Sequence, residues 1–343
     1  MVHKYNNLQF ANKSNSFITF ECFIKPVKVD GKYLLILFAV ILPLCRSEAQ
    51  SDIYKKIIVD GRQREYLIHL PPNYESTEKH PVLFGLHGGG GTYENSIKFY
   101  NLNSLADKNG FIVIYPNAIG KSWTIPGFST RSRKADSTVD DVHFISVVLD
   151  TIIKNYKGDS TEVFTTGISR GGEFSLYLAY KLSKRITAIA PVCASVPAPV
   201  LKYYSFKHPT PVLLINGTSD PLIPYGGGYG KYLRTDEPDE GFDMASTDNL
   251  MKRIVFMEDS LGHVSPKVIA MPDNDPDDGC TATKYEYDFS SVTVTLIKID
   301  GGGHTWPGGK QYLPKFIIGK VCRDFNAEDE IFNFFLSIIH KQY

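Results

Sequence analysis

The chain has no excess of either charge: Lys plus Arg and Asp plus Glu each number 37 in 343 residues, so the formal net charge is zero. No run of basic residues disturbs that balance. A long-range field able to gather nucleic acid or an anionic membrane is therefore not expected, and nucleic acid is set aside as a partner. Cysteine is scarce. Of five in all, only Cys193, Cys280 and Cys322 lie beyond residue 49, which permits one internal disulfide at most. The strongest apolar run, "YLLILFAVILPL" (33–44), has 12 residues, whereas crossing a bilayer takes about 20. Several signatures are missing too. No glycine loop ends in the Lys-Ser/Thr of a phosphate cradle, and no acidic stretch has the spacing of a twelve-residue calcium loop. Neither a metal nor a cofactor is expected. Repeats, low-complexity tracts and Pro/Ser-rich linkers are also absent, so residues 50–343 read as one domain.

What is present begins with an N-terminal address. The run 33–44 follows Lys28 and Lys32 and precedes Ser47 and Ala49, small residues at minus three and minus one of a cleavage after Ala49. This is the layout of a signal peptide over about residues 32–49, and it predicts a secreted or periplasmic protein without stable membrane insertion. A core strand or helix is the alternative. The roughly 30 residues ahead of the run exceed a usual n-region, which points to a start near residues 27–30. Cys45 invites a lipid anchor, but bulky Leu44 stands where such sites carry a small residue. Cys280 and Cys322 fall in polar loops and are the candidate disulfide in an oxidising compartment, while Cys193 ends an apolar run and reads as a buried small residue.

Downstream, short apolar runs alternate with amphipathic ones. Strands are predicted at 53–59, 65–70, 81–87, 110–116, 162–169, 186–192, 211–217 and 292–299. Several lack polar alternation, as strands covered on both faces do. Helices are predicted at 141–156, 171–183 and 327–342. The expectation is α/β: a doubly wound, mostly parallel eight-stranded sheet with helices on both faces. Residues 221–291 break the rhythm and read as an insertion or lid, with an acidic loop "TDEPDEG" and a helix near 246–260.

Within this frame "GISRG" (167–171) sets Ser169 between a strand and a helix. Chance alone would produce the pattern in roughly one of six such chains. A strand-to-helix elbow needs small neighbours two positions away, hence Gly167, Gly171 and Gly172. The serine then stands at a helix N-terminus, where the backbone amides favour developing negative charge. A hydroxyl needs a base and the base needs an anchor. His304 follows the last strand in "GGGHTWPGG", and Asp220 follows the seventh in "NGTSDP". The order Ser169, Asp220, His304 is the one that this architecture uses. "LHGGGG" after the third strand offers the amide of Gly88 or Gly89 for an oxyanion hole, and the amide of Arg170 is the second donor. His69, His80, His143 and His263 read as structural or solvent-facing, and His87 as scaffold. Tyr225, in "YGGGYG" of the insertion, is a candidate pocket residue.

Five motifs, "LHGGGG", "IYPNAIGKSW", "VDDVHFI", "TGISRGGEFS" and "GGGHTWPGG", make residues 53–340 resemble secreted α/β-hydrolase esterases of the polyhydroxybutyrate depolymerase-like group, related to feruloyl and acetylxylan esterases. The resemblance implies a serine carboxylic-ester hydrolase with Ser169, Asp220 and His304 as the catalytic triad. It makes Trp123 and Trp306 pocket residues and Asp141 a helix-start residue that supports the sheet edge. The implied substrate is an acyl ester linked to polysaccharide or a hydroxyalkanoate oligomer. Room for a separate polymer-binding module is lacking, and Arg170 with Glu173 gives the elbow its own charge pattern. A peptidase on the same scaffold, or a binding protein without activity, remain the rival readings.

Overall fold

The computed structural model describes residues 51–343 apart from 73, 76, 127–137, 231–242, 260–262, 290–291 and 343; below residue 51 it describes only strand backbone. The acidic loop at 235–241 and the cleavage region at 42–49, with Cys45, Ser47 and Ala49, lie outside the described residues. The chain divides into two units, 1–49 and 50–343. In the first, strands Gln9–Ala11, Phe17–Val29 and Lys32–Ile41 pair antiparallel in that order. The apolar run contributes strand backbone there over Lys32–Ile41.

The second unit is built on one sheet. Its strands are β1 (Ser51–Val59), β2 (Arg62–Leu70), β3 (His80–Leu86), β4 (Ile112–Pro116) and β5 (Gly158–Ile168), followed by β6 (Ala188–Val192), β7 (Val212–Gly217), β8 (Lys267–Ala270), β9 (Thr281–Asp288) and β10 (Thr293–Asp300). Their spatial order is β8-β9-β10-β7-β6-β5-β3-β4-β2-β1. The core from β10 across to β4 is parallel, and the β1–β2 and β8–β9 edges are antiparallel.

Period-two alternation explains why the central strands are apolar throughout. On β3, Val82, Phe84 and Leu86 enter one core while Leu83 enters the other; on β7, Val212 and Leu214 oppose Leu213 and Ile215. Helices α3 (Asp141–Asn155), α4 (Arg170–Lys181) and α5 (Thr247–Glu258) close the first face through Phe144, Phe174 and Leu250. Helices α1 (Tyr93–Tyr100), α2 (Leu102–Asn109) and α6 (Ala327–Gln342) close the second through Tyr100, Leu102 and Phe335. Covered on both faces, such a sheet needs no polar alternation. This is the α/β-hydrolase architecture, with ten strands rather than eight.

The two extra strands fall within 221–291, the segment read as an insertion or lid with a helix near 246–260. "KVIA" and "TATKYEYD" add to the sheet edge as an antiparallel hairpin, β8 and β9. β8 is largely exposed, so its side chains carry no core signature. The expected disulfide also fails to form. Cys280 and Cys322 are both free and buried. Cys322 Sγ donates to Asp324 Oδ2 at 3.7 Å.

Candidate active site

The elbow is strained as its sequence demands. Ser169 has φ 55° and ψ −124°, a conformation rare for a residue with a Cβ. Its N–H donates to Val192 O at 2.9 Å and its carbonyl accepts from Glu173 N at 2.8 Å, so backbone bonds on both sides lock the turn. The hydroxyl makes no capping bond to α4 and is left for other chemistry. The flanking glycines are steric necessities. A Cβ on Gly167 would meet Leu86 O at 2.4 Å, and one on Gly172 would meet Ala194 Cβ at 2.8 Å.

The candidate base His304 and its candidate anchor Asp220 meet on the same sheet edge. His304 Nδ1 and Asp220 Oδ2 are 2.7 Å apart, and both side chains are 2% exposed. The other carboxylate oxygen, Oδ1, accepts from the amides of Leu222 and Ile223, each at 2.8 Å. These fixed donors orient the carboxylate before any imidazole arrives. The His304 backbone is held as well: its N–H donates to Ile318 O at 2.5 Å, and Tyr312 Oη donates to its carbonyl at 3.0 Å. No hydrogen bond joins Ser169 Oγ to the ring in this state. Such bonds are often long before substrate enters. Ser169, Asp220 and His304 thus follow the C-terminal ends of β5, β7 and β10, with β6 between the first two.

The glycine loop packs against the elbow: a Cβ on Gly88 would stand 3.9 Å from that of Ser169. The amides of Gly90 and Gly91 are engaged, by Lys121 O and Gly88 O. The Gly88 amide lies beside the Tyr100 hydroxyl, which itself donates to Leu86 O and accepts from Ile168 N. Of the two candidates, Gly89 is therefore the better placed to donate outward, and it is exposed. Arg170 is the first residue of α4. Its guanidinium pairs with Glu173 at 3.2 Å and donates to Trp123 O at 2.9 Å. The elbow's own charges neutralise each other and tie it to the Trp123 loop.

Trp123 and Trp306 do not face a pocket. Both indoles are fully buried. Trp123 Nε1 donates to His87 O and its ring stacks on Phe174 at 4.7 Å. Trp306 Nε1 donates to Glu328 and its ring packs on Tyr100 at 4.5 Å. They are the wall behind the site, because an indole with its N–H satisfied inside gains more from burial than from solvent. Tyr225 is half-buried, with its hydroxyl donating to Asp248 at 2.9 Å. Asp141 has the supporting place expected of it, buried against Arg64 at 2.5 Å and accepting from Thr124 N.

His87 is a scaffold residue with a fixed tautomer. Nε2 accepts from Ala118 N at 3.0 Å, so Nδ1 carries the proton and donates to Gly88 O at 2.8 Å. Burial lowers its pKa to about 4. An unfolded histidine titrates near 6.5, so between those values the unfolded chain takes a proton that the folded site refuses. Stability should therefore fall as pH drops from about 6.5 to about 4, by roughly 2 kcal/mol at pH 5 from this group alone. Urea melts of the wild type and His87→Gln at pH 7 and pH 5 check this: the variant should show a correspondingly smaller loss.

Tyr100, Tyr312 and Cys193 support the site without a signal in the sequence. Cys193 lies between Asp220 and the His304 loop, and nothing local in "PVCAS" marks it.

Comparison with known proteins comes to the same group. Residues 59–220 match the family described as "Putative esterase". "Putative esterase NocK" of Nocardia uniformis subsp. tsuyamanensis is 28% identical over 300 residues, 82% of either chain. "Feruloyl esterase C" of Emericella nidulans is 26% identical over 171 residues, 48% of this chain and 58% of that enzyme's length. Among solved structures, an S-formylglutathione hydrolase from Agrobacterium tumefaciens shares the fold, with a TM-score of 0.50 at 12% identity over 85% of this chain and 97% of that one.

Proposed function

We propose, from the chain's similarity to feruloyl and acetylxylan esterases of the α/β-hydrolase fold, that it hydrolyses carboxylic esters through Ser169, His304 and Asp220. The observation that carries the reading is the buried 2.7 Å His304–Asp220 pair on the sheet edge that bears the strained Ser169 turn. Ser169 Oγ attacks the ester carbonyl while His304 Nε2 takes its proton. Asp220 holds the ring in the tautomer with Nδ1 protonated and stabilises the imidazolium. The amides of Gly89 and Arg170 donate hydrogen bonds to the oxyanion at the N-terminus of α4, each such donor contributing about 3 kcal/mol to the transition state. His304 then protonates the leaving alcohol and activates a water that clears the acyl group from Ser169. No step in this sequence calls for a metal or an organic cofactor.

The substrate that the relatives favour is an acyl ester on plant polysaccharide, acetyl or feruloyl, ahead of a hydroxyalkanoate oligomer. Residues 1–49 would serve export, where such polymers are met. Among the described residues no helix is long and apolar enough to cross a membrane.

An organophosphonate probe tests the nucleophile, and a panel of p-nitrophenyl acetate, methyl ferulate, acetylated xylan and hydroxybutyrate oligomers tests the class. The expected result is one adduct, on the peptide containing Ser169, with turnover of the acetyl or feruloyl esters. Labelling elsewhere, or no turnover of any ester, would sink the proposal.

A further inference from the structure

Cys193 follows β6, whose end lies between the Ser169 turn and the strand leading to Asp220. It has φ 49°, the left-handed region that residues with a Cβ avoid. The surroundings hold it there. Its N–H donates to Ile215 O at 2.8 Å, and Ala194 is clamped by both amide atoms of buried Asn216, at 3.0 Å to its N–H and 2.9 Å to its carbonyl. Glycine would occupy this turn with less strain. A side chain kept at such a cost points to a use for it.

The left-handed turn delivers the thiol to the base and its anchor. Cys193 Sγ lies 3.3 Å from Thr305 O and 3.7 Å from Gly303 O, the carbonyls on either side of His304. Sγ, an Asp220 carboxylate oxygen and a His304 ring nitrogen all fall within 4.8 Å of one another, and the three residues are buried. Tyr312 is the remaining titratable group nearby. Burial, with the Asp220 carboxylate beside it, pushes the thiol pKa well above its ordinary value. The sulfur therefore stays protonated and acts as a donor, and it has no role as a nucleophile.

We propose that Cys193 is a positioning residue: its S–H group holds the Thr305 carbonyl next to His304, and its sulfur, packed beside Gly303 O, shields the Asp220 carboxylate from solvent. Together these contacts fix the imidazole facing Ser169. The proposal rests on the triad reading above and assigns that triad a support from the strand between its members.

Three variants test it on p-nitrophenyl acetate. Cys193→Gly relieves the left-handed strain, which offsets the small cavity it leaves, so it should remain folded while losing the thiol. Its kcat should fall roughly tenfold with KM within about twofold, because the ground-state complex does not depend on the ring's aim. Cys193→Ala should show the same loss, and Cys193→Ser, which keeps a donor, should recover most of it. A well-folded Cys193→Gly with wild-type kcat overturns the proposal, as does a Cys193→Ser no faster than the glycine variant. Ser169→Ala run beside them separates the two levels. If it is dead while Cys193→Gly is unimpaired, this proposal alone fails; if it is active, the triad reading fails with it.

Discussion

Ser169→Ala is expected to lower kcat on p-nitrophenyl acetate by about 10⁴-fold or more while leaving the protein folded. Both halves follow from the geometry. The hydroxyl makes no capping bond to α4, so its removal leaves no amide newly unpaired. Alanine also meets the same left-handed strain as serine at φ 55°, so the turn is no worse off. What is lost is the only oxygen on that side chain, and with it the acyl-enzyme. The amides and the substrate-binding surface would remain, and such remnants still give a slow, water-driven hydrolysis. The residual rate should therefore exceed the uncatalysed one yet ignore the loss of His304. A thermal melt matching the wild type, together with a rate within tenfold of it, would exclude Ser169 as the nucleophile.

The parts of the site that sequence revealed are those whose constraint is local. "GISRG" announces its turn because each glycine answers a contact within a few ångströms of backbone, and those contacts are present. Asp220 and His304 could be placed because each directly follows an apolar strand, and chain order fixes their edge. Parts that depend on which way a side chain turns were not legible. Trp123 and Trp306 adjoin the site in sequence, yet a loop position does not say whether an indole faces outward or packs behind. Their burial is decided by Phe174 and Tyr100, about fifty and two hundred residues distant. Cys193 was read as a small buried residue, and it is buried. Its left-handed turn is imposed by Asn216 on the neighbouring strand, so "PVCAS" contains no glycine to mark it. Likewise β9 gave no strand signal because a half-exposed strand, paired between β8 and β10, mixes Thr, Lys and Tyr.

Gly171→Ala should be the most damaging single methyl group in the elbow, costing about 3 kcal/mol or more of stability and about 10²-fold or more in kcat. The added Cβ would stand 2.1 Å from Leu86 O and 2.8 Å from His87 O, both backbone atoms. A clash with a flexible side-chain end could be relieved by rotation, but these oxygens belong to the end of β3 and the start of the glycine loop. The Leu86 carbonyl is further pinned by the Tyr100 hydroxyl at 2.8 Å. Relief must come from moving α4 away from β3 or from displacing the loop that carries Gly88 and Gly89. Either shift opens the gap between the Ser169 turn and the proposed oxyanion amides, so stability and rate should fall together. That coupling distinguishes the variant from Ser169→Ala, which loses rate alone. Melting temperatures and kcat measured on the two variants in parallel make the comparison. A Gly171→Ala protein as stable and as fast as the wild type would mean that the elbow is not packed against β3 as this structure has it.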